Sequence, residues 1–399
     1  MGNVLLKKNN KVDVSEFFMA VAYFSLAIVS SYDSFLTFDT SFPSSIIFIV
    51  LLLTGIVCAG LIGNISFNLH PIVFLLLLRC LLYLINAILL NIDKEKKLEQ
   101  LFITLSSILI FEISYSKELS IKNILKPFLL MTDIQIFYSF ISSNFSFSKT
   151  VIVAGIGDSN YIATFILLCV SYMLFSRTNL VENLLIIISI VALLLTQSFA
   201  CYLALIFMLF IWITKKINLK SLSSVIKAIV CAIIAIGFVI LFLSSKYGVP
   251  IVSKVKSKLD FLLEGNINAF SSSRIELYKY SISNIKRNII FGTIDNFSID
   301  KLETYRYAHA RTHNFILESL LQYGIVGSLL NLIILYYIFK SFKIRETFAC
   351  KMAFIAVLIH GFFEPNFFTL HFEIFIWLII GSSLRISKDN LINARLLKN

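Results

Sequence analysis

The chain has 399 residues, of which 58% are hydrophobic and 15% charged, and it carries a formal net charge of +12. Soluble domains carry about 25% charged residues, so this balance argues against an ordinary soluble enzyme and indicates a polytopic membrane protein. The basic residues are dispersed and the aromatics lie mostly inside apolar runs, which argues against nucleic acid as a partner.

A helix needs about 20 apolar residues to cross the hydrocarbon core. The apolar runs predict an all-α polytopic membrane protein of about 12 transmembrane helices, near 15–32, 44–63, 70–90, 98–115, 122–142, 160–176, 181–196, 199–214, 224–244, 313–340, 348–363 and 367–385. No small-residue cleavage site follows the first run, which therefore reads as an uncleaved helix. The polar break Thr196-Gln-Ser198 divides one over-long apolar stretch into two short helices. Of the six cysteines, five sit inside apolar runs and none forms a CxxC pair, so they read as small hydrophobes rather than as disulfides or zinc ligands.

Loop charge orients the chain. With both ends inside, Lys117, Lys122, Lys126, Arg177, Lys215, Lys216, Lys220, Lys340, Lys343 and Arg345 fall on the cytoplasmic side. The division is then residues 1–244 for helices 1–9, 245–312 for one large extracytoplasmic loop, and 313–399 for helices 10–12 and a cytoplasmic tail. The loop holds eleven basic residues against six acids. Long loops escape the positive-inside rule, so this charge is compatible with an outside location. It reads either as a solvated domain with incidental charge or as a surface that attracts an anionic substrate such as a pyrophosphate.

Several polar residues stand where an apolar chain has little reason to place them. Arg79 lies mid-span in the third predicted helix and Asp133 at similar depth in the fifth; a central Arg costs roughly 2.5–3.5 kcal/mol on insertion scales, so the two are expected to pair. Such a pair would fix helix packing or contact pyrophosphate or sugar. Asp158 and Asn160, in Gly155-Ile-Gly-Asp-Ser-Asn160, stand at the outer mouth of the sixth helix, where they would cap it or face an anion. Arg311, His313 and Asn314 stand where the basic loop meets a transmembrane helix, and imidazole can take a proton from a sugar hydroxyl near neutral pH. Glu364, in His360-Gly-Phe-Phe-Glu364, lies at the next outer turn, either bonded locally to His360 or facing the same chamber as His313.

These residues resemble the bacterial O-antigen polymerase and O-antigen ligase family. The shared features are many helices, one large late extracytoplasmic loop, then His313-Asn314 and Gly324-Ile-Val-Gly327. Ser273-Arg274-Ile-Glu-Leu-Tyr278, Ile289-Ile-Phe-Gly292 and Asp158-Ser-Asn160 are similar to further family elements. The resemblance is carried mainly by residues 272–335. One departure is that relatives often have Thr-x-Ser-Arg between the two short helices, whereas this chain has Thr196-Gln-Ser-Phe199; another cation, Arg79 or a loop residue, would have to substitute.

The resemblance implies a metal-independent glycosyltransferase of the bacterial inner membrane, multi-pass, with its active site facing the periplasm. It would polymerise undecaprenyl-pyrophosphate-linked repeat units into O-antigen or a related surface polysaccharide. His313 would act as base or orienter, with Arg274 and Arg311 neutralising the departing pyrophosphate. Asn314, Arg79, Asp158, Asn160, Arg306 and Glu364 would bind substrate, and the apolar helices would supply a groove for the prenyl chain. The leaving group is already activated, so no metal or cofactor is called for. The implied partners are the undecaprenyl-pyrophosphate-linked glycan, membrane lipid and a chain-length regulator protein. Two alternatives stay open: a ligase transferring glycan to lipid A–core, and a flippase for lipid-linked sugars. The flippase predicts ionisable residues spread through a central cavity and an internal repeat, neither of which the sequence displays.

Overall fold

A computed structural model describes residues 14–30, 38–39, 50, 54, 70–89, 94–116, 119–145, 159–216, 244, 249–271, 274–292, 312–342, 347–364 and 370–396. The helices are α1 (Val14–Ile28), α2 (Pro71–Leu89), α3 (Lys94–Ser116), α4 (Ile121–Ser142), α5 (Ser159–Phe175), α6 (Leu180–Leu195) and α7 (Phe199–Lys216). The later ones are α8 (Val249–Leu263), α9 (Ile267–Phe270), α10 (Arg274–Ile285), α11 (Phe315–Ser341), α12 (Phe348–Gly361) and α13 (Leu370–Leu396). The described strand content is a two-residue parallel pairing of Val29–Ser30 with Phe38–Asp39. The expected all-α class holds, and ten of the twelve expected spans coincide with helices. The runs 44–63 and 224–244 lie almost wholly outside the described residues.

Local chemistry explains the boundaries. A capping box opens α6: Asn179 Oδ1 accepts from the Glu182 amide at 2.8 Å while Glu182 Oε2 accepts from the Asn179 amide at 3.1 Å. The expected break between α6 and α7 is present, with Gln197 at φ +53° and Thr196 Oγ1 donating to the Leu193 carbonyl at 2.6 Å. At the start of α4, Glu16 of α1 accepts from the Ser120 amide and Asn123 Nδ2, and Lys122 and Lys126 both pair with Glu182. These contacts tie α1, α4 and α6 together at the side assigned to the cytoplasm.

The interior is aromatic. Phe375 of α13 meets Tyr23 of α1 and Phe128 of α4 at 4.7 Å each, and Phe165 of α5 at 5.0 Å. The outward faces are apolar too: Phe74 and Leu81 on α2, Leu184 and Ile187 on α6, and Leu203 and Phe210 on α7 are all exposed. Apolar exposure repeated on several helices suits hydrocarbon rather than water and is consistent with a helical membrane protein. Among the described residues, Ile121–Ser142 and Phe315–Lys340 are long and apolar enough to cross a bilayer.

The second of these is not straight. Gly324 within α11 adopts φ +62° and ψ −165°, and Ser319 is hydrogen-bonded to Ser328 at 3.0 Å and to Asn331 Nδ2 at 3.1 Å. In a straight helix residues 319 and 331 would stand about 18 Å apart. The chain therefore turns sharply at Gly324 into two arms, 315–323 and 325–341, which corrects the single span expected at 313–340. The turn is braced by the strip 289–292. The Ile325 and Val326 amides donate to the Ile289 and Ile290 carbonyls at 2.9 and 3.2 Å. Backbone packs on backbone here: a Cβ on Gly324 would lie 2.3 Å from the Ile290 oxygen, and one on Gly292 would lie 2.5 Å from the Gln322 carbonyl carbon. The two glycine motifs noted in the sequence thus form one joint.

The expected Arg79–Asp133 pair is not formed. Arg79 pairs with Glu373 of α13, which also accepts from Ser107 Oγ of α3 at 3.0 Å and Trp377 Nε1 at 3.4 Å. Asp133 accepts from Ser189 Oγ of α6 at 2.5 Å. The reason is helix order: α2 packs on α3 and α11, whereas α4 packs on α1, α6 and α5. Equal depth did not make the two neighbours.

Candidate active site

Four helix ends meet on the side that loop charge predicts to face the periplasm. Glu364, just past α12, is nearly buried and forms the centre. Its Oε2 lies 2.9 Å from His313 Nδ1, its Oε1 accepts from Asn160 Nδ2 at 2.9 Å, and Arg274 NH2 stands 3.9 Å from Oε1. Burial by itself would raise the Glu364 carboxyl. The hydrogen bond from His313 and the positive charge of Arg274, joined by that of either imidazole when it is protonated, outweigh it and hold the group below the usual carboxylate range. An ionised Glu364 can only accept, so His313 Nδ1 carries the hydrogen and its Nε2 is left as the basic nitrogen. The side chains of His313 and Arg274 are each 27% exposed, which leaves both reachable from outside.

His313 occupies a left-handed backbone conformation, φ +51°, uncommon for a residue with a Cβ. Its neighbours hold it there. Asn314 caps α11 by accepting from the Ile316 and Leu317 amides at 3.0 and 3.1 Å, and its Nδ2 donates to the Phe362 carbonyl at 3.3 Å. Thr312 donates through its amide and its hydroxyl to Glu318 Oε2, at 3.2 and 2.7 Å, and Glu318 Oε1 accepts from Gln322 Nε2 at 2.7 Å. Backbone strain held in place by surrounding bonds is a feature of functional positions.

A second layer supports Glu364. Thr164 Oγ1 donates to the Asn160 carbonyl at 3.0 Å, so it accepts from His360 Nδ1 at 3.1 Å. His360 thereby turns its Nδ1 to α5 rather than to the Glu364 side chain; the local bond to Glu364 is the backbone one, amide to His360 carbonyl at 3.1 Å. Tyr278, on the first turn of α10 after Arg274, has its hydroxyl raised by burial, lowered by Arg274 and raised by Glu364, with a net upward shift that keeps it a donor.

Of the residues picked from the sequence, His313, Arg274, Asn160 and Glu364 come together, with Asn314 beside them. Arg79 belongs to the separate Glu373 cluster, so among the described residues it is Arg274 rather than Arg79 that stands beside the Glu364 carboxylate. Arg311, Arg306 and Asp158 lie outside the described residues. Sequence reading gave no role to Glu373, Glu318, Thr164 or Tyr278. The signal for Glu373 was there: it is an acid inside an apolar run, like Arg79 a charge in want of an opposite.

A cavity of about 410 Å³ is walled by both arms of α11 and by α13, running from Phe315 and Ile316, the first residues of α11 after Asn314, past Leu332 to Ile338. Its lining is almost wholly apolar apart from the Arg79–Glu373 pair and the Ser319–Ser328–Asn331 contacts. Leu329 and Leu332 also face outward, so this flank of α11 meets the lipid side.

Residues 184–332 match the O-antigen ligase family model. The resemblance read from the sequence is borne out over that stretch. The family takes in glycosyltransferase-like ligases and polymerases, and the matched stretch contains Arg274, His313, Asn314 and both glycine motifs. Asn160, Glu364, Arg79 and Glu373 lie outside it. No curated protein sequence matches the chain.

Proposed function

We propose that the protein is a glycosyltransferase of the bacterial inner membrane that polymerises undecaprenyl-pyrophosphate-linked repeat units on the periplasmic face. The observation that carries this reading is the His313–Glu364 pair with Arg274 beside the carboxylate at helix ends, with an apolar cavity starting at Phe315, two residues on from His313. A hydroxyl of the terminal sugar on one lipid-linked unit attacks the anomeric carbon of another. Its proton passes to His313 Nε2 as the new C–O bond forms. The bond from the anomeric carbon to the pyrophosphate oxygen breaks, and undecaprenyl pyrophosphate leaves with the electron pair. Glu364 stabilises the imidazolium through Nδ1. Arg274, with Arg311, neutralises the charge that grows on the leaving group, where fixed cations lower the barrier most. The cavity beside α11 takes the first part of the prenyl chain.

The ligase reading stands second, favoured by the description of the matching family. There the acceptor is lipid A–core rather than a second lipid-linked unit. A surface-glycan gel from a strain lacking the gene, complemented with wild type or His313→Ala, separates the two. Core bearing one repeat unit with the ladder lost means a polymerase. Loss of all core-linked repeats while polymer accumulates on the prenyl carrier means a ligase. An unchanged glycan pattern in the deletion strain overturns both.

A further inference from the structure

We propose that α8 is a membrane-surface helix that lays its apolar face on anionic phospholipids of the outer leaflet. Val252, Leu259, Leu262 and Leu263 recur at i, i+7, i+10 and i+11, which places them within one arc of about 100° on the helix. All four are exposed, Leu263 by 85% and the others by 45–52%. Ile267 on α9 continues the patch at 55% exposure. Among the described residues α8 packs chiefly against α9, so nothing described covers this face.

Charge and chain length both point to a lipid surface as the occupant. At 100° per residue, Lys256 falls at one edge of the apolar arc and Lys258 at the other. Lys258 is held by donating to the Ala269 carbonyl at 2.5 Å, and Lys256 is exposed. Lys256 at the open edge can extend its stem over the apolar face and place its ammonium group at phosphate level. Four residues, 245–248, separate the expected span 224–244 from the start of α8. Fully extended, that linker reaches no more than about 18 Å, so with 224–244 as a membrane span α8 starts within about 18 Å of the boundary. A long loop tied down this way would carry α10, and with it Arg274, at the height where a lipid pyrophosphate emerges from the bilayer.

The test uses the full-length protein in nanodiscs, with native cysteines replaced by serine and a nitroxide at Leu263→Cys or, on the polar face, at Ser257→Cys. The label at 263 is expected to collide more with oxygen than with a water-soluble nickel chelate, and the label at 257 the reverse. Raising phosphatidylglycerol in place of phosphatidylcholine is expected to deepen the label at 263 in the otherwise unchanged chain but not in Lys256→Glu. Collision of both labels mainly with the chelate overturns the proposal. So does a label at 263 shielded from both reagents, whether dipolar broadening between labels shows a second copy covering the face or its absence shows the chain covering itself. Equal depth in the two lipids overturns the anionic preference. Glycan transfer plays no part in the readout, so these outcomes are independent of the proposed reaction.

Discussion

His313 and Glu364 stand fifty-one residues apart in the chain, yet the imidazole Nδ1 lies 2.9 Å from the carboxylate. The bond joins the start of α11 to the turn after α12, and it decides which ring nitrogen is free. With Nδ1 committed to Glu364, Nε2 is the atom that can meet an acceptor hydroxyl.

His313→Ala is expected to abolish polymer formation with normal protein abundance. Glu364→Gln keeps a hydrogen-bonding group but not the charge, so turnover should fall by roughly 10²–10⁴-fold, the range for general-base assistance. Transfer from purified lipid-linked substrate is the measurement. Wild-type turnover in His313→Ala would remove the residue from the mechanism.

Glu364 also links stability to pH. Its folded-state pKa is depressed, so the stabilisation is fully present above the ordinary carboxylate value and is lost as pH falls through the folded one. Melting temperature in detergent should therefore drop on acidification below about pH 4.3. In Glu364→Gln that part of the acid dependence should disappear; an unchanged acid slope would show that the pair contributes nothing.

Arg79 and Glu373 are both nearly buried, and Arg79 Nε has no hydrogen-bond partner. Removing one partner strands the other charge, so Arg79→Met or Glu373→Leu alone should destabilise by about 3–5 kcal/mol. The double variant should lose much less than the sum of the two. A double variant that is stable and inactive would instead give Arg79 a part in binding substrate.

Gly324→Ala should fail mainly in folding. A Cβ there would sit 2.3 Å from the Ile290 oxygen, and φ +62° alone costs roughly 1–3 kcal/mol for a residue with a side chain. Gly265→Ala, at φ +73° with open space around its Cβ, is the control for strain without a clash. Equal melting temperatures for the two variants would dissolve the joint between 289–292 and α11.

Arg274→Lys retains charge but loses the planar fork, so transfer should slow while His313 stays in place. Leu332→Trp, which fills the cavity beside α11, should raise KM for long-chain prenyl donors and leave short-chain analogues unaffected. An equal effect on both chain lengths would place the prenyl chain elsewhere.

Among the described residues, the sequence by itself determined which apolar segments are helical, but it read 245–312 as loop and did not show α8, α9 and α10 inside it. In hydrocarbon each backbone group must be satisfied within its own segment, so apolar runs translate directly into helices. The polar break at 196–198 and the Asn314 cap are equally local, since their bonds close within a few residues. Even His313, Asn160 and Glu364 could be picked singly, as polar groups at the mouths of apolar helices, and Arg274 by its place in a motif similar to the family's. Their meeting could not, because Glu364 binds partners from three other helix ends. Nor could Arg79's choice of Glu373 over Asp133: depth follows from position along a helix, but adjacency follows from the order in which helices pack. The bend at Gly324 belongs with these, since the strip 289–292 supplies the carbonyls that its first amides would otherwise lack.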